Sequence, residues 1–204
     1  MPGWQALYEE LKDDGFMVIT VALDKSPEEA KPWIDLANPQ HPSLIDTTHL
    51  LADLYNMVNV PTILWIDEQG MIARPNDVAF GDNTWIEYTG LDAETHKTTL
   101  RTWVKTGEIA FDQNRARELQ TLPSKARQEA RAEFALAQWL WAQSRFDAAN
   151  KHFVHAGELA PDDFTIRRGS MPMRDIDPMG EKFFEMRGEW DQAGHDYYLP
   201  LPDA

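Results

Sequence analysis

The chain has no cysteine. It therefore carries no thiolate nucleophile, disulfide, zinc–thiolate site or iron–sulfur cluster. The other groups able to do chemistry are scattered. His152 and His155 stand three apart on a predicted helix, a spacing that many metal pairs use, but only Glu158 lies near them. They read as helix-surface histidines, and His41, His49, His96 and His195 fall singly elsewhere. Ser26, Ser43, Ser124, Ser144 and Ser170 do not sit in a Gly-x-Ser-x-Gly turn, so no serine nucleophile is expected. Gly169-Ser170 stands alone and makes no phosphate loop. Asp162-Asp163 falls at a helix end and is expected in solvent. Arg167-Arg168 either pairs with local acids or holds a phosphate. Trp33, Trp65, Trp85, Trp103, Trp139 and Trp141 read as core and interface packing rather than a ligand cage. The residues alone thus give no catalytic residue, no metal site and no cofactor.

Composition narrows the class further. With 19 Lys+Arg against 34 Asp+Glu the net charge is −15, a field that repels phosphate backbones, so no nucleic-acid partner is expected. The 204 residues, 43% hydrophobic and 26% charged, can build a sizeable core in one or two domains. No run approaches the ~18 apolar residues of a membrane span. Nor does Met1-Pro2-Gly3-Trp4-Gln5 begin an export signal. As written, the chain reads as cytoplasmic; if the natural N-terminus lies upstream, an exported or periplasmic parent protein is open.

The pattern along the chain is α/β first and helical later. Trp4, Leu7, Tyr8 and Leu11 make one apolar stripe over residues 4–12, with Gly15 placed to end that helix. Phe16–Leu23 is a continuous apolar run and predicts a strand covered on both faces. Ser26-Pro27-Glu28-Glu29 predicts a capped helix start, with the helix running to about Ala37. Ser43–Ile45 predicts a short strand. A helix capped by Thr48 is expected to run to about Val58, with Leu50, Leu51, Leu54 and Val58 inward. Thr62–Ile66, a turn at Glu68–Gly70, and Met71–Ala73 predict an antiparallel hairpin. Residues 75–90 read as irregular and 92–106 as a helix stopped by Gly107. Pro123-Ser124 marks a boundary between residues 1–122 and residues 123–204. Beyond it residues 125–143 and 147–160 are helical, broken at Ser144-Arg145, and a last helix begins near Gly180.

Two family resemblances follow from these segments. Asn59-Val60-Pro61-Thr62-Ile63-Leu64-Trp65-Ile66-Asp67-Glu68-Gln69-Gly70-Met71-Ile72, preceded by the helix and strand of Leu7–Asp24, resembles thioredoxin-like proteins of the TlpA/ResA/redoxin group. The resemblance covers about residues 1–75, with an extension toward 122. It implies a partial thioredoxin-like fold of thiol–disulfide oxidoreductase ancestry and a cis proline at Pro61. It also implies that Val60, Pro61 and Thr62 border the substrate, the residue before the proline pairing its backbone with an extended peptide. In that group the Cys-x-x-Cys pair and a central strand stand before the equivalent of Trp4. Neither is in this chain, so the chain is expected to be redox-inactive as written. The missing strand would lie between Phe16–Leu23 and Thr62–Ile66, leaving two open edges that another chain, a homodimer or a longer parent can cover. Residues 59–62 are then either a peptide-docking edge or a turn that shapes the fold.

The second resemblance lies in Leu136-Ala137, Leu140, Ser144–Ala149, Phe153, Ala156 and Pro161-Asp162-Asp163, which resemble one tetratricopeptide repeat, with a fainter echo over 183–193. It implies an all-α tetratricopeptide-like tail. That tail reads either as a groove for a protein or peptide partner or as a packing and dimerisation appendage.

Overall fold

A computed structural model describes residues 2–120 and 122–201. The N-terminal part alternates helix and strand, and the remainder is helical. Helix α1 (Pro2–Leu11) buries Leu7 and Leu11 from the expected stripe. A 3₁₀ turn follows, and Gly15 closes it at φ 82°, a conformation that glycine adopts without a Cβ clash. Strand β1 (Thr20–Leu23) pairs in parallel with β2 (Ser43–Asp46), Thr20 opposite Ser43 through Leu23 opposite Asp46. The crossover between them is α2 (Pro27–Ala37). Strands β3 (Ile63–Ile66) and β4 (Ile72–Asp77) form an antiparallel hairpin. Its turn is tied by Asp67, whose Oδ1 accepts from the Gln69 and Met71 amides at 3.0 and 2.8 Å.

The two strand pairs are separate sheets, and among the described residues no strand joins β1 to β3. This shortens the first apolar run: only residues 20–23 are strand, whereas Met17 and Ile19 are exposed. All four residues of β1 are half-buried, on both faces alike, and the strand has one partner and a free edge.

Helix α3 is short (Leu50–Leu54) and departs from expectation twice. Asp46, not Thr48, receives its first amides, Oδ2 accepting from Leu51 N at 2.7 Å. Its buried residue is Ala52, whereas Leu50 and Leu54 are exposed. The Ser26 side chain likewise accepts no hydrogen bond from the first amides of α2; it bonds the Glu28 side chain instead.

Past the hairpin, β4 runs on to Asp77, and a 3₁₀ turn with α4 (Ile86–Thr89) interrupts the segment expected to be irregular. Helix α5 (Ala93–Thr106) ends at Gly107. Helix α6 (Gln113–Leu119) begins at Asp112, whose side chain accepts from Arg115 N at 2.8 Å. In the helical part α7 (Lys125–Ala142) and α8 (Phe146–Leu159) share a core. The small Ala137, Ala149 and Ala156 are fully packed there, with Phe153 meeting Phe134 edge to face at 5.5 Å. No second helix pair of like length follows among the described residues: α9 (Phe164–Arg167) has four residues, a 3₁₀ turn comes next, then α10 (Glu181–Gln192).

Three apolar clusters hold the molecule. One is centred on Leu7, Leu11, Trp65 and Leu100 beneath the hairpin, one on α7 and α8, and one on Phe164, Met171, Phe183 and Tyr197. The tryptophans divide accordingly. Trp65 is buried and stacks on Trp103, but Trp33, Trp85 and Trp139 are exposed, against the packing role expected of them.

Candidate functional site: the loop before the third strand

Residues 57–62 lead from α3 into β3, and the helical part holds their backbone. Met57 O accepts from Arg131 Nη2 at 2.6 Å and from Thr165 Oγ1 at 3.3 Å. Val58 O accepts from the amides of Phe164 and Thr165 at 2.6 and 3.3 Å. These bonds satisfy carbonyls that would otherwise be left unpaired at the junction of the two parts. Arg131 is itself fixed by Asp163, Nη2 to Oδ2 at 2.6 Å, with both side chains buried. Asp163 also accepts from Thr165 Oγ1 at 2.6 Å. Asp163 is therefore a buried clamp rather than the solvated acid expected, whereas Asp162 is half-exposed and pairs with Arg127.

At the tip, the Val60–Pro61 peptide is cis. Val60 keeps 38% of its surface exposed, and Thr62 Oγ1 donates to Asn59 O at 2.6 Å. Asn59, which the residue pattern did not single out, is the hub. Its Oδ1 accepts from Val60 N at 2.8 Å, and its Nδ2 donates to Tyr197 O at 2.7 Å. The Val60, Pro61 and Thr62 segment thus forms one connected loop, anchored from α7, α9 and the C-terminal segment.

A second polar group sits behind the hairpin. Arg74 and Asp77, both buried, meet through Nε and Nη2 to Oδ2 at 2.8 and 2.6 Å. Arg74 lies between the rings of Trp65 and Phe111, each centroid 5.2 Å from its guanidinium carbon. His96 Nε2 accepts from Trp65 Nε1 at 3.3 Å, which leaves the ring proton on Nδ1, facing Asp77 Oδ2 at 3.8 Å. Burial pushes the His96 pKa down to about 4, against the pull of Asp77 and with the push of Arg74, so the ring is neutral at neutral pH. Burial also holds His49 down to about 4. The two neutral rings contribute packing and hydrogen bonding rather than charge. Sequence spacing could not find this cluster, because His96 joins Arg74 and Asp77 only through the packing of α5 on the hairpin.

The remaining candidates resolve simply. His152 Nδ1 lies 2.5 Å from Glu133 Oε2 and His155 Nδ1 3.6 Å from Glu158 Oε2, surface pairs as expected. Among the described residues no group of three or more His, Asp or Glu is placed to hold a metal. Arg167 donates to Pro161 O and Arg168 to Pro178 O, carbonyls rather than the acids expected. Among the described residues no helix is long and apolar enough to cross a membrane.

The N-terminal elements, two parallel strands about a helix followed by a hairpin, make a mixed α/β arrangement that is consistent with a partial thioredoxin-like fold. Residues 1–74 match the model of the AhpC/TSA family, which supports a thioredoxin-like, redoxin ancestry for this part. The match takes in 74 of the 204 residues and ends within β4. No curated protein and no solved structure matches the chain.

Proposed function

We propose that this chain supplies the substrate-docking part of a redoxin domain of the TlpA type, with Val60, Pro61 and Thr62 bordering an extended peptide. The thiols would stand on a strand placed between β1 and β3. There a thiolate attacks a substrate disulfide, releasing one substrate thiolate and forming a mixed disulfide; a second thiol then displaces the other substrate sulfur. This chain has no residue that can take either sulfur role.

The observation that carries the reading is that a redoxin-type match coincides with free edges on β1 and β3, where a central strand would pair. The test is to read the DNA ahead of the Met1 codon. An in-frame apolar strand and Cys-x-x-Cys is expected, and an in-frame stop would overturn the enzyme reading. The chain by itself should reduce no disulfide at the expense of a dithiol; turnover above background would show that the chemistry lies elsewhere.

A stop codon would favour a second reading, a redox-inactive scaffold that binds peptides or a second copy through a tetratricopeptide-like pair α7–α8. The exposed Leu136, Trp139 and Phe146 on that pair support it.

A further inference from the structure

After α10 the chain turns back across the site as a strap, residues 195–201, fixed at four points, one of them Tyr198, which meets Phe80 edge to face at 5.7 Å. At its start His195 stacks on Trp190 at 4.2 Å, and Trp190 Nε1 donates to Asp196 O at 3.2 Å. In the middle Tyr197 is buried against Phe164, ring centroids 4.5 Å apart, with the Arg187 guanidinium 4.1 Å above its ring. At its end a single hydrogen bond, Leu201 N to Asp77 Oδ1 at 2.9 Å, ties it to β4. Leu199, between the last two points, is exposed.

The Tyr197 point matters for the loop. A peptide that pairs with the backbone at residue 60 needs the Val60 N–H as donor. That N–H is already spent on Asn59 Oδ1, so the Asn59 side chain occupies the position of a substrate carbonyl. Asn59 cannot turn aside freely, because its Nδ2 is held by Tyr197 O in a buried contact. Releasing it would leave a buried donor and a buried acceptor unpaired unless the strap moves as well. The order of dependence runs from strap to Asn59 to Val60.

We propose that the strap is an autoinhibitory latch: with residues 195–201 seated, Asn59 caps the Val60 N–H against peptide, and lifting the strap uncaps it. This rests on the reading of Val60 as the docking residue. The Leu201 end is where the latch opens most readily, since one hydrogen bond holds it while the rings of Phe164, Phe183 and Tyr198 and the Arg187 guanidinium hold Tyr197.

The test uses the full chain in four forms: unaltered, Leu201→Pro, Asn59→Ala and Asn59→Asp. Leu201→Pro removes the terminal donor without touching the core. Asn59→Ala removes cap and tie together. Asn59→Asp keeps an acceptor for the Val60 N–H and loses the tie to Tyr197 O. Two quantities are read: amide hydrogen exchange at Val60, and binding of a fluorescein-labelled Thr-Val-Thr-Val-Thr-Val peptide. Exchange at Val60 is expected to quicken by about fivefold to tenfold in Leu201→Pro and in Asn59→Ala, the loss of roughly one hydrogen bond's protection. Peptide binding should tighten by a similar factor in both, and Asn59→Asp, which keeps an acceptor but loses the tie that holds it in place, should bind peptide more tightly than the unaltered chain. Unchanged Val60 exchange in a folded Leu201→Pro chain overturns the latch. Equal peptide affinity in all four forms also overturns it while leaving the docking role intact. Faster exchange with no peptide binding in any form overturns the docking role itself.

Discussion

At the scale of single residues, the consequential groups are buried polar ones that no hydrophobic pattern announces. His49 and His96 are neutral in the fold, each held down to about 4 from an ordinary 6.5. The unfolded chain therefore binds more protons than the folded one between those values. Stability is full above pH 6.5 and is lost as pH falls toward 4. We expect unfolding free energy to drop by about 2 kcal/mol per histidine between pH 7.5 and 4.5. Denaturant melts across that range check the total, and NMR titration of the two rings checks the sites; rings that titrate near 6.5 would remove the effect. Asp163 gives a second case. Asp163→Asn leaves Arg131 charged, buried and short of its partner, and should cost about 3–5 kcal/mol in a urea melt. The pattern of residues placed Asp163 in solvent because a helix end ordinarily lies at the surface. What it could not supply is the partner, Arg131, an interval of 32 residues away.

At the scale of elements, legibility follows how local the cause is. Gly15 and Gly107 end their helices because each takes a positive φ, a property of the residue itself. The hairpin at 67–70 and the break at Ser144 are legible for the same reason. Inward and outward faces were not legible where burial depends on a distant neighbour: Leu50 and Leu54 form a fair apolar stripe, yet α3 packs through Ala52. Helix α6 escaped because its start depends on one capping aspartate and its burial on Ala116 alone.

Close approach offers sharper tests. A Cβ on Gly3 would lie 1.6 Å from Gly81 O, so α1 and the segment after β4 touch backbone to backbone. Gly3→Ala must part them and should cost about 1–3 kcal/mol. Gly188, within α10, has open space at its Cβ position, and Gly188→Ala should gain roughly 0.5–1 kcal/mol from helix propensity. Thermal melts of the two variants should move in opposite directions.

At the scale of the whole molecule, the residues on either side of the boundary expected at Pro123 are joined by contact. The helical part donates four hydrogen bonds to the carbonyls of Met57 and Val58, and the strap adds Leu201 to Asp77. Residues 1–122 expressed alone should therefore lose cooperative unfolding, whereas the full chain should melt in one urea transition. Equal midpoints for both would show the N-terminal part to be self-sufficient. The candidate loop was legible as a motif, through Asn59-Val60-Pro61-Thr62 and the strand after it. Its environment was not, since the donors to the Met57 and Val58 carbonyls and the acceptor for the Asn59 side chain come from more than 70 residues away in sequence.

The stacked indoles of Trp65 and Trp103 lie 5.0 Å apart at 17°, close enough for their electronic excitations to couple. Coupled chromophores of this kind give paired circular-dichroism bands of opposite sign. Both rings belong to the hairpin and the helix beneath it, so that signal is an intrinsic optical gauge of one half of the protein, readable without a label while the other half is being altered.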